Sequence, residues 1–112
     1  MKKDPKIFLE HIIQSIEDIE EYTRNISREQ FLEDGKLQDA VIRKLEIIGE
    51  AIKNLPRDFR KKHSEIRWKS FAGMRDILIH HYFGVDLEII WTATQRDIPQ
   101  LKNAILELLE HL

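Results

Sequence analysis

The stretch MRDILIHHYFG, residues 74–84, is the part of the chain that decides its organisation. Most of its side chains are apolar, yet Arg75, His80 and Tyr82 fall within eight residues of one another. The pattern predicts the last turns of a helix that ends at Gly84, because glycine permits the left-handed conformation that closes many helices. Three reactive polar groups in an apolar helix favour a functional site over a plain core helix.

The spacing of these three side chains limits how they can meet. On a regular helix Arg75 and Tyr82, seven residues apart, lie within about 20° of each other, whereas His80 points about 140° away from Arg75. Arg75 and His80 therefore meet only if the helix loosens near Gly84 or if a second chain completes the site. One His80 per chain supplies either a base or an acid, and proton-transfer catalysis works best with both. A symmetric homodimer would supply two.

The composition is that of one small globular domain, and we expect a single domain over residues 1–112. Hydrophobic residues make up 42% of the chain and charged residues 34%, which suits a modest core under a charged surface. No apolar run is long enough for a membrane span and the amino terminus lacks an apolar signal region, so we expect no membrane association and a cytoplasmic location.

Several catalytic classes leave no signature in this sequence. The absence of cysteine removes disulfides, thiolate metal sites and cysteine nucleophiles. The five histidines are scattered without a His-Glu-x-x-His pair, and neither a Gly-rich phosphate loop nor a serine triad motif occurs. We therefore predict neither a metal site nor a cofactor.

A basic block interrupts an otherwise acidic chain. Residues 53–75 carry eight Lys or Arg against two acidic residues, a net charge of +6, while the chain on either side carries −4. The densest part of the block contains Arg57, Arg60, Lys61 and Lys62. Such a block attracts a phosphate-rich ligand toward the arginine at its end. A solvated basic turn without a ligand explains the same charges.

Apolar residues recur at helical spacing along the chain and predict an all-α protein. We expect a first helix capped by Asp4 with Pro5 at its first position, and a capping box formed by Ser27 and Gln30. Further helices are predicted over residues 37–55, 57–63 and 68–82. With short connections and no convincing strand, these elements predict an antiparallel bundle of four to five helices.

Five single residues carry structural expectations of their own. Asp86 should cap the final helix, which Pro99 should kink or divide. Gly49 costs its helix about 1 kcal/mol relative to alanine, which indicates close approach by another helix. We interpret His11 as a structural residue at the edge of the first helix, and Trp68 as a core anchor rather than a platform for stacking bases.

The 74–84 stretch and its surroundings resemble a known family. Arg75-x4-His80-x-Tyr82 resembles the signature of the HEPN superfamily of small helical ribonucleases, specifically the HepT toxins. Three further segments match the family pattern: IGEA at 48–51, IRW at 66–68, and VD with IW within 85–91. The resemblance covers nearly all of the chain and implies the same helical bundle, assembled as a homodimer.

The resemblance implies a metal-independent endoribonuclease. His80 would take the proton from a ribose 2′-hydroxyl, whose oxygen attacks the adjacent phosphorus, while Arg75 stabilises the charge on the phosphoryl oxygens. Supporting roles fall to His81, Glu50 and Asp76. Glu50 either orients Arg75 or is a solvated charge. Asp76 stands where many relatives carry asparagine, and it would either orient the guanidinium or weaken its hold on phosphate.

The resemblance also implies partners. HepT toxins are encoded beside an MntA-type minimal nucleotidyltransferase antitoxin, which makes this a type VII-like toxin–antitoxin pair. The antitoxin would transfer AMP from ATP to the hydroxyl of Tyr82 and silence the ribonuclease, whereas the alternative is an ordinary tyrosine at a helix end. The basic residues named above would bring RNA to the site. A non-catalytic scaffold subunit of a nucleotidyltransferase complex is the alternative function, because HEPN relatives without catalysis keep the same bundle.

Overall fold

The computed structural model of the protein describes residues 4–112, apart from the side chain of Tyr82. The α-helices in chain order are α1 (Pro5–Thr23), α2 (Arg28–Glu33), α3 (Gly35–Asn54), α4 (Arg57–Lys62), α5 (Trp68–His80), α6 (Leu87–Thr92) and α7 (Ile98–Glu110). A 3₁₀ turn, Tyr82–Gly84, follows α5, and a π-helical turn, Ala93–Asp97, joins α6 to α7. The described residues contain no strand, and the predicted all-α class is confirmed.

The helix starts that the sequence predicted are confirmed by short-range hydrogen bonds. The Asp4 side chain accepts a hydrogen bond from the amide of Lys6 at the start of α1. Ser27 and Gln30 form the expected reciprocal capping box, with distances of 3.1 and 2.8 Å. Asp86 caps α6 through the amide two residues on. Each cap satisfies amides that a helix start leaves unpaired.

Two predicted helix boundaries are wrong. Helix α3 begins at Gly35, two residues before the expected start, because Asp34 caps it by accepting from the amide of Leu37 at 3.1 Å. Helix α5 ends at His80 and not at residue 82, since His81 takes a non-helical conformation with φ −130° and ψ 39°. None of the described glycines has a positive φ, so the predicted left-handed closure at Gly84 does not occur.

The last helix is divided at the place that Pro99 predicted, although the division is a π-helical turn and helical conformation continues through it. Proline lacks an amide hydrogen, so the carbonyl four residues before it loses its helical partner. Directly before Pro99, the amide of Ile98 bonds to the carbonyl of Ala93, which is the wider pairing of a π-turn.

Helix α3 is the central element of the bundle, because α1 packs along one side of it and α5 along another, while α7 packs on α1. Residues from all these helices share one core, which includes the buried Leu9, Ile12, Ile16, Ile48, Ile52, Leu78, Ile98 and Ile105. Trp68 is buried in this core, as its interpretation as an anchor required. None of the described helices is long and apolar enough to cross a membrane.

Candidate active site

Arg75 lies on the face of α5 that contacts α3, and Gly49 makes that contact possible. A Cβ atom placed on Gly49 would lie 2.2 Å from the Cβ of Arg75 and 3.0 Å from the carbonyl oxygen of Phe71. The helices therefore approach too closely at this point for any residue other than glycine. The expected close approach at Gly49 is confirmed, and it brings the backbone of the candidate arginine against α3.

Two carboxylates hold the guanidinium of Arg75. One terminal nitrogen lies 2.8 Å from Oε2 of Glu50 on α3, and the other lies 2.9 Å from Oδ1 of Asp76. The same Asp76 oxygen accepts a hydrogen bond from Nζ of Lys53 at 3.0 Å. Glu50 is thus a partner of Arg75, although its side chain is also exposed to solvent. Two cations and two carboxylates make this cluster electrically neutral.

The cluster also explains the charge state of Asp76. Hydrogen bonds from Lys53 and then Arg75 hold the pKa of the Asp76 carboxyl below its usual value. Asp76 thus binds the guanidinium directly, a contact that both of its sequence interpretations require. The Nε atom of Arg75 is buried and has no acceptor among the described residues. Each terminal nitrogen thus has one carboxylate partner, so a phosphate that approaches Arg75 meets two negative charges already beside it.

The structure does not bring His80 and Arg75 of one chain together. Helix α5 is regular up to His80, so the two side chains keep the separation of about 140° that five helical residues impose. Of the two ways in which Arg75 and His80 could meet, loosening of the helix between them does not occur, since α5 ends only after His80. His80 and His81 are both exposed, and Arg75 lines a groove that includes neither of them.

The Arg75 groove runs between α1 and α5 over α3 and has a volume of about 310 Å³. Arg75 and Glu50 line it together with Arg43, Asn54 and His11. His11 is exposed there, so its interpretation as a merely structural residue missed its position beside the candidate arginine. The sequence held no signal for this, because 64 positions separate the two residues and only the packing of α1 and α5 on α3 makes them neighbours.

The basic block forms a second, separate groove. Arg57, Arg60 and Lys61 from α4 line it with Arg67 and Lys69 from the start of α5, around a volume of about 700 Å³. Lys62 lies outside this lining, and so does Arg75. Within one chain the basic residues and Arg75 thus line separate grooves, and their role in bringing RNA to a dimeric site stays a prediction.

Apolar side chains are exposed near the end of α5. Ile77 has 57% of its surface exposed on the side of the helix that carries His80, and Phe83 in the following turn is fully exposed. Ile79, which is 43% exposed, points about 160° away from Ile77 and lines the Arg75 groove. Large exposed apolar side chains that cluster on one helix commonly mark a protein contact. This surface lies beside His80. Arg75 of the same chain points away from His80.

Tyr82 is the predicted modification site. The side chain of Tyr82 lies outside the described residues, so its prediction as a modification site has no structural test. Its backbone begins the 3₁₀ turn, and the helical register that put Tyr82 on the Arg75 face ends at His80.

Within residues 4–112, no group of three or more His, Cys, Asp or Glu side chains is arranged to hold a metal ion.

Comparisons with known proteins identify the family. The model of the HepT-like ribonuclease family matches residues 12–108. A Methanocaldococcus jannaschii protein, named a gamma-glutamylcyclotransferase and provisionally an RNase, is 58% identical over 100% of this chain and 50% of its own length. The chain thus spans about half of that relative. A Thermococcus cleftensis protein named a probable ribonuclease HepT is 55% identical over 96% of this chain and 98% of its own.

A third relative, from Caldanaerobacter subterraneus and provisionally named an RNase, is 51% identical over 96% of both chains. No solved structure gives a significant match. The family model covers most of the chain, including the whole 74–84 stretch, and the match agrees with the helical bundle and with the motif around Arg75. The chain belongs to the HepT-like ribonuclease family.

Proposed function

We propose that this protein is a metal-independent endoribonuclease in which Arg75 and His80 act on one phosphodiester bond. The observation that carries the proposal is the Arg75-x4-His80-x-Tyr82 signature within a chain whose family is one of ribonucleases. The relatives named as RNases over nearly their full length support the same activity.

The proposed reaction is an internal transesterification. His80 removes the proton from a ribose 2′-hydroxyl, and the 2′-oxygen attacks the adjacent phosphorus. Arg75 stabilises the negative charge that develops on the non-bridging oxygens. The bond from phosphorus to the 5′-oxygen breaks, and a protonated histidine supplies the proton that this leaving group needs. The products are a 2′,3′-cyclic phosphate and a 5′-hydroxyl end.

The carboxylates around Arg75 set the conditions for substrate binding. Glu50 is 54% exposed at its side chain, whereas Arg75 is only 23% exposed. A phosphate that reaches Arg75 can therefore displace Glu50 toward solvent, while Asp76 and Lys53 keep the guanidinium in place. In this proposal Glu50 and Asp76 are positioning residues, and His81 supports His80 at the end of α5.

A homodimer completes the site in this proposal. Within one chain the regular helix keeps His80 away from Arg75, and the exposed Ile77 and Phe83 offer an apolar contact surface beside His80. Pairing of two α5 helices through this surface would bring the His80 side chains of both protomers to one interface, so that one acts as base while the other acts as acid.

The decisive experiment measures RNA cleavage by purified protein in the presence of a chelator. Arg75→Ala and His80→Ala are expected to abolish cleavage, while far-ultraviolet circular dichroism shows unchanged helix content. Arg24→Ala and His111→Ala are matched controls, because both residues are exposed and lie outside the site. Cleavage that survives in both site variants, or that the chelator removes, contradicts the mechanism.

The regulation we propose follows the family resemblance. A partner nucleotidyltransferase of the MntA type binds ATP, and the hydroxyl oxygen of Tyr82 attacks its α-phosphorus. Pyrophosphate leaves, the phenolic proton passes to a base, and AMP remains on the tyrosine. The added phosphate charge lies two residues from His80 and competes with RNA phosphate for the arginine. The pair would then be a type VII-like toxin and its antitoxin.

One observation favours the second candidate, a non-catalytic scaffold subunit of a nucleotidyltransferase complex. Both terminal nitrogens of Arg75 already bind carboxylates, which is what a purely structural arginine would show. The cleavage experiment separates the two functions, since a scaffold subunit leaves RNA intact and still binds its partner.

A further inference from the structure

We infer that the groove between α4 and the start of α5 is a binding site for an unpaired nucleotide of single-stranded RNA, distant from the bond that is cut. This subsite groove is lined by Arg57, Arg60, Lys61, Arg67 and Lys69. The inference rests on the proposed function for the identity of the ligand as RNA. To the proposed function the inference adds a second region of RNA contact and a preference for single-stranded RNA.

Charge distribution is the first observation that supports a ligand here. Among residues 4–112, eight Lys and Arg side chains form ion pairs, and all of them lie outside residues 57–69. The six cations within 57–69 form none: Arg57, Arg60, Lys61, Lys62, Arg67 and Lys69. Apart from this segment, the described cations without an ion pair are Lys6 and Lys36. Cations without an ion pair are thus concentrated around this groove, which leaves them available for an anion.

Packing fixes the walls of the subsite groove before any ligand arrives. The indole Nε1 of Trp68 donates a hydrogen bond to the carbonyl of His63 at 3.0 Å, which ties the end of α4 to the start of α5. The Phe59 ring packs on His63 at 4.6 Å and near Trp68 at 6.4 Å between centroids. The short helix α4 is therefore anchored to the core, and the position of its cations does not depend on a ligand.

The lining combines charge with an apolar floor. Ile66 and Trp68 line the groove beneath the cations, and both are largely buried. The Nε atom of Arg60 is buried and has no hydrogen-bond acceptor among the described residues. A volume of about 700 Å³ falls in the range of roughly 300–1,000 Å³ that small-molecule sites occupy. A nucleotide fits this chemistry, since its base is flat and apolar on its faces and its phosphate is anionic.

The geometry favours single-stranded RNA over a duplex. Bases in an A-form helix are stacked and paired, so their faces cannot enter a pocket, whereas unpaired bases can stack on guanidinium planes such as those of Arg57, Arg60 and Arg67. Ser70, which lines the groove, lies ten residues before His80 on the same helix, a distance of about 15 Å along its axis. A strand cut at His80 would therefore meet the groove at a nucleotide other than the two that flank the scissile bond.

The test measures binding of a fluorescently labelled single-stranded RNA of about 12 nucleotides, a length within the usual range of single-strand sites. His80→Ala serves as the background, so that the RNA stays intact. Adding Arg60→Ala is expected to weaken binding by about tenfold, as the loss of one charge-assisted contact would. In a plot of log affinity against log salt concentration, the magnitude of the slope should fall by about 0.7 for the one cation removed. Lys36→Ala is the matched control, because Lys36 is an exposed cation without an ion pair elsewhere, and it should change affinity less than twofold.

Two further readouts test the details. A duplex of the same sequence should bind more weakly than the single strand and should respond less to Arg60→Ala. In the catalytically intact protein, Arg60→Ala should slow cleavage of the long strand but leave cleavage of a dinucleotide unchanged, since a dinucleotide cannot reach the groove.

The outcomes separate this inference from the proposed function. If the wild-type protein fails to cleave RNA but Arg60→Ala still weakens single-strand binding, the function is wrong and the subsite is supported. If cleavage depends on Arg75 while Arg60→Ala binds all RNAs as the parent does, the function stands and the subsite is overturned. The inference is also overturned if Arg60→Ala and Lys36→Ala weaken RNA binding equally and if single strand and duplex are affected equally. Such a result indicates electrostatic attraction without a defined site. If Arg60→Ala leaves the affinity for RNA unchanged but removes binding of an acidic protein, the groove is a protein contact and the inference is overturned.

Discussion

Replacing Gly49 with alanine tests how the fold positions Arg75. The new Cβ would lie 2.2 Å from the Cβ of Arg75, and ordinary contact begins near 3.4 Å, so α3 and α5 must separate by about 1.2 Å. Neither Cβ can rotate away, because each is fixed to its helix backbone. Overpacking of this kind costs up to about 3 kcal/mol. Alanine gains about 1 kcal/mol in helix propensity.

The net expectation for Gly49→Ala is a loss of about 2 kcal/mol of stability, or a melting temperature lower by roughly 8 °C for a chain of this size. Cleavage should fall by at least about tenfold, since a misplacement of about 1 Å can cost a hundredfold. Thermal unfolding is followed by circular dichroism at one protein concentration, because oligomer formation makes the melting temperature depend on concentration.

Gly73→Ala is the matched control for this experiment. Gly73 lies inside α5, and an added Cβ would meet nothing within 4 Å. The same substitution should therefore stabilise the protein by about 0.5–1 kcal/mol, through helix propensity alone. The two variants are expected to move the melting temperature in opposite directions. Stabilisation by both, with cleavage intact, would refute the tight contact between α3 and α5.

Three further expectations follow from individual contacts. Lys44 and Asp18 pair at 2.8 Å with 24% and 28% of their side chains exposed, so Asp18→Asn should cost about 1 kcal/mol at neutral pH. The hydrogen bond from Lys44 lowers the pKa of Asp18, so this contribution is present above the unfolded pKa near 3.8 and disappears as the pH falls through the lower folded value; a difference in stability that does not shrink as the pH falls below 3.8 would contradict it. Ile77→Asp should convert a dimer into a monomer in sedimentation and reduce cleavage, whereas a wild-type protein that is already monomeric at micromolar concentration would exclude the dimer. Co-expression with an MntA-type nucleotidyltransferase should add the mass of one or more AMP units, and Tyr82→Phe should lack the added mass and stay toxic; an unmodified wild-type chain would contradict the regulation.

The sequence by itself determined the helices and most of their starts. Asp4, the Ser27 and Gln30 pair, and Asp86 each cap a helix through atoms no more than three residues away. Such hydrogen bonds depend only on neighbouring residues, so the sequence contains all the information they need. The same holds for the family motif, which is a pattern of residue types and not of contacts.

Local reasoning missed the Asp34 cap that starts α3, and it also failed at the end of α5. Gly84 permits a left-handed closure, yet α5 ends earlier, at His80, and no described glycine uses a positive φ. A residue that allows a conformation does not require it. Pro99 located the interruption of the last helix, but the sequence did not show that a π-helical turn would keep the helix continuous.

Only the tertiary structure decided the surroundings of the site. Glu50 and Lys53 reach Arg75 and Asp76 from another helix, and His11 faces the same groove from a third. The structure also separated the basic groove from Arg75, although both belong to one positively charged block of sequence. These relations depend on how closely helices approach and at what rotation, and that is fixed by the joint packing of side chains from the whole chain. A linear pattern records which residues are present, whereas the distances between them exist only once the core has formed.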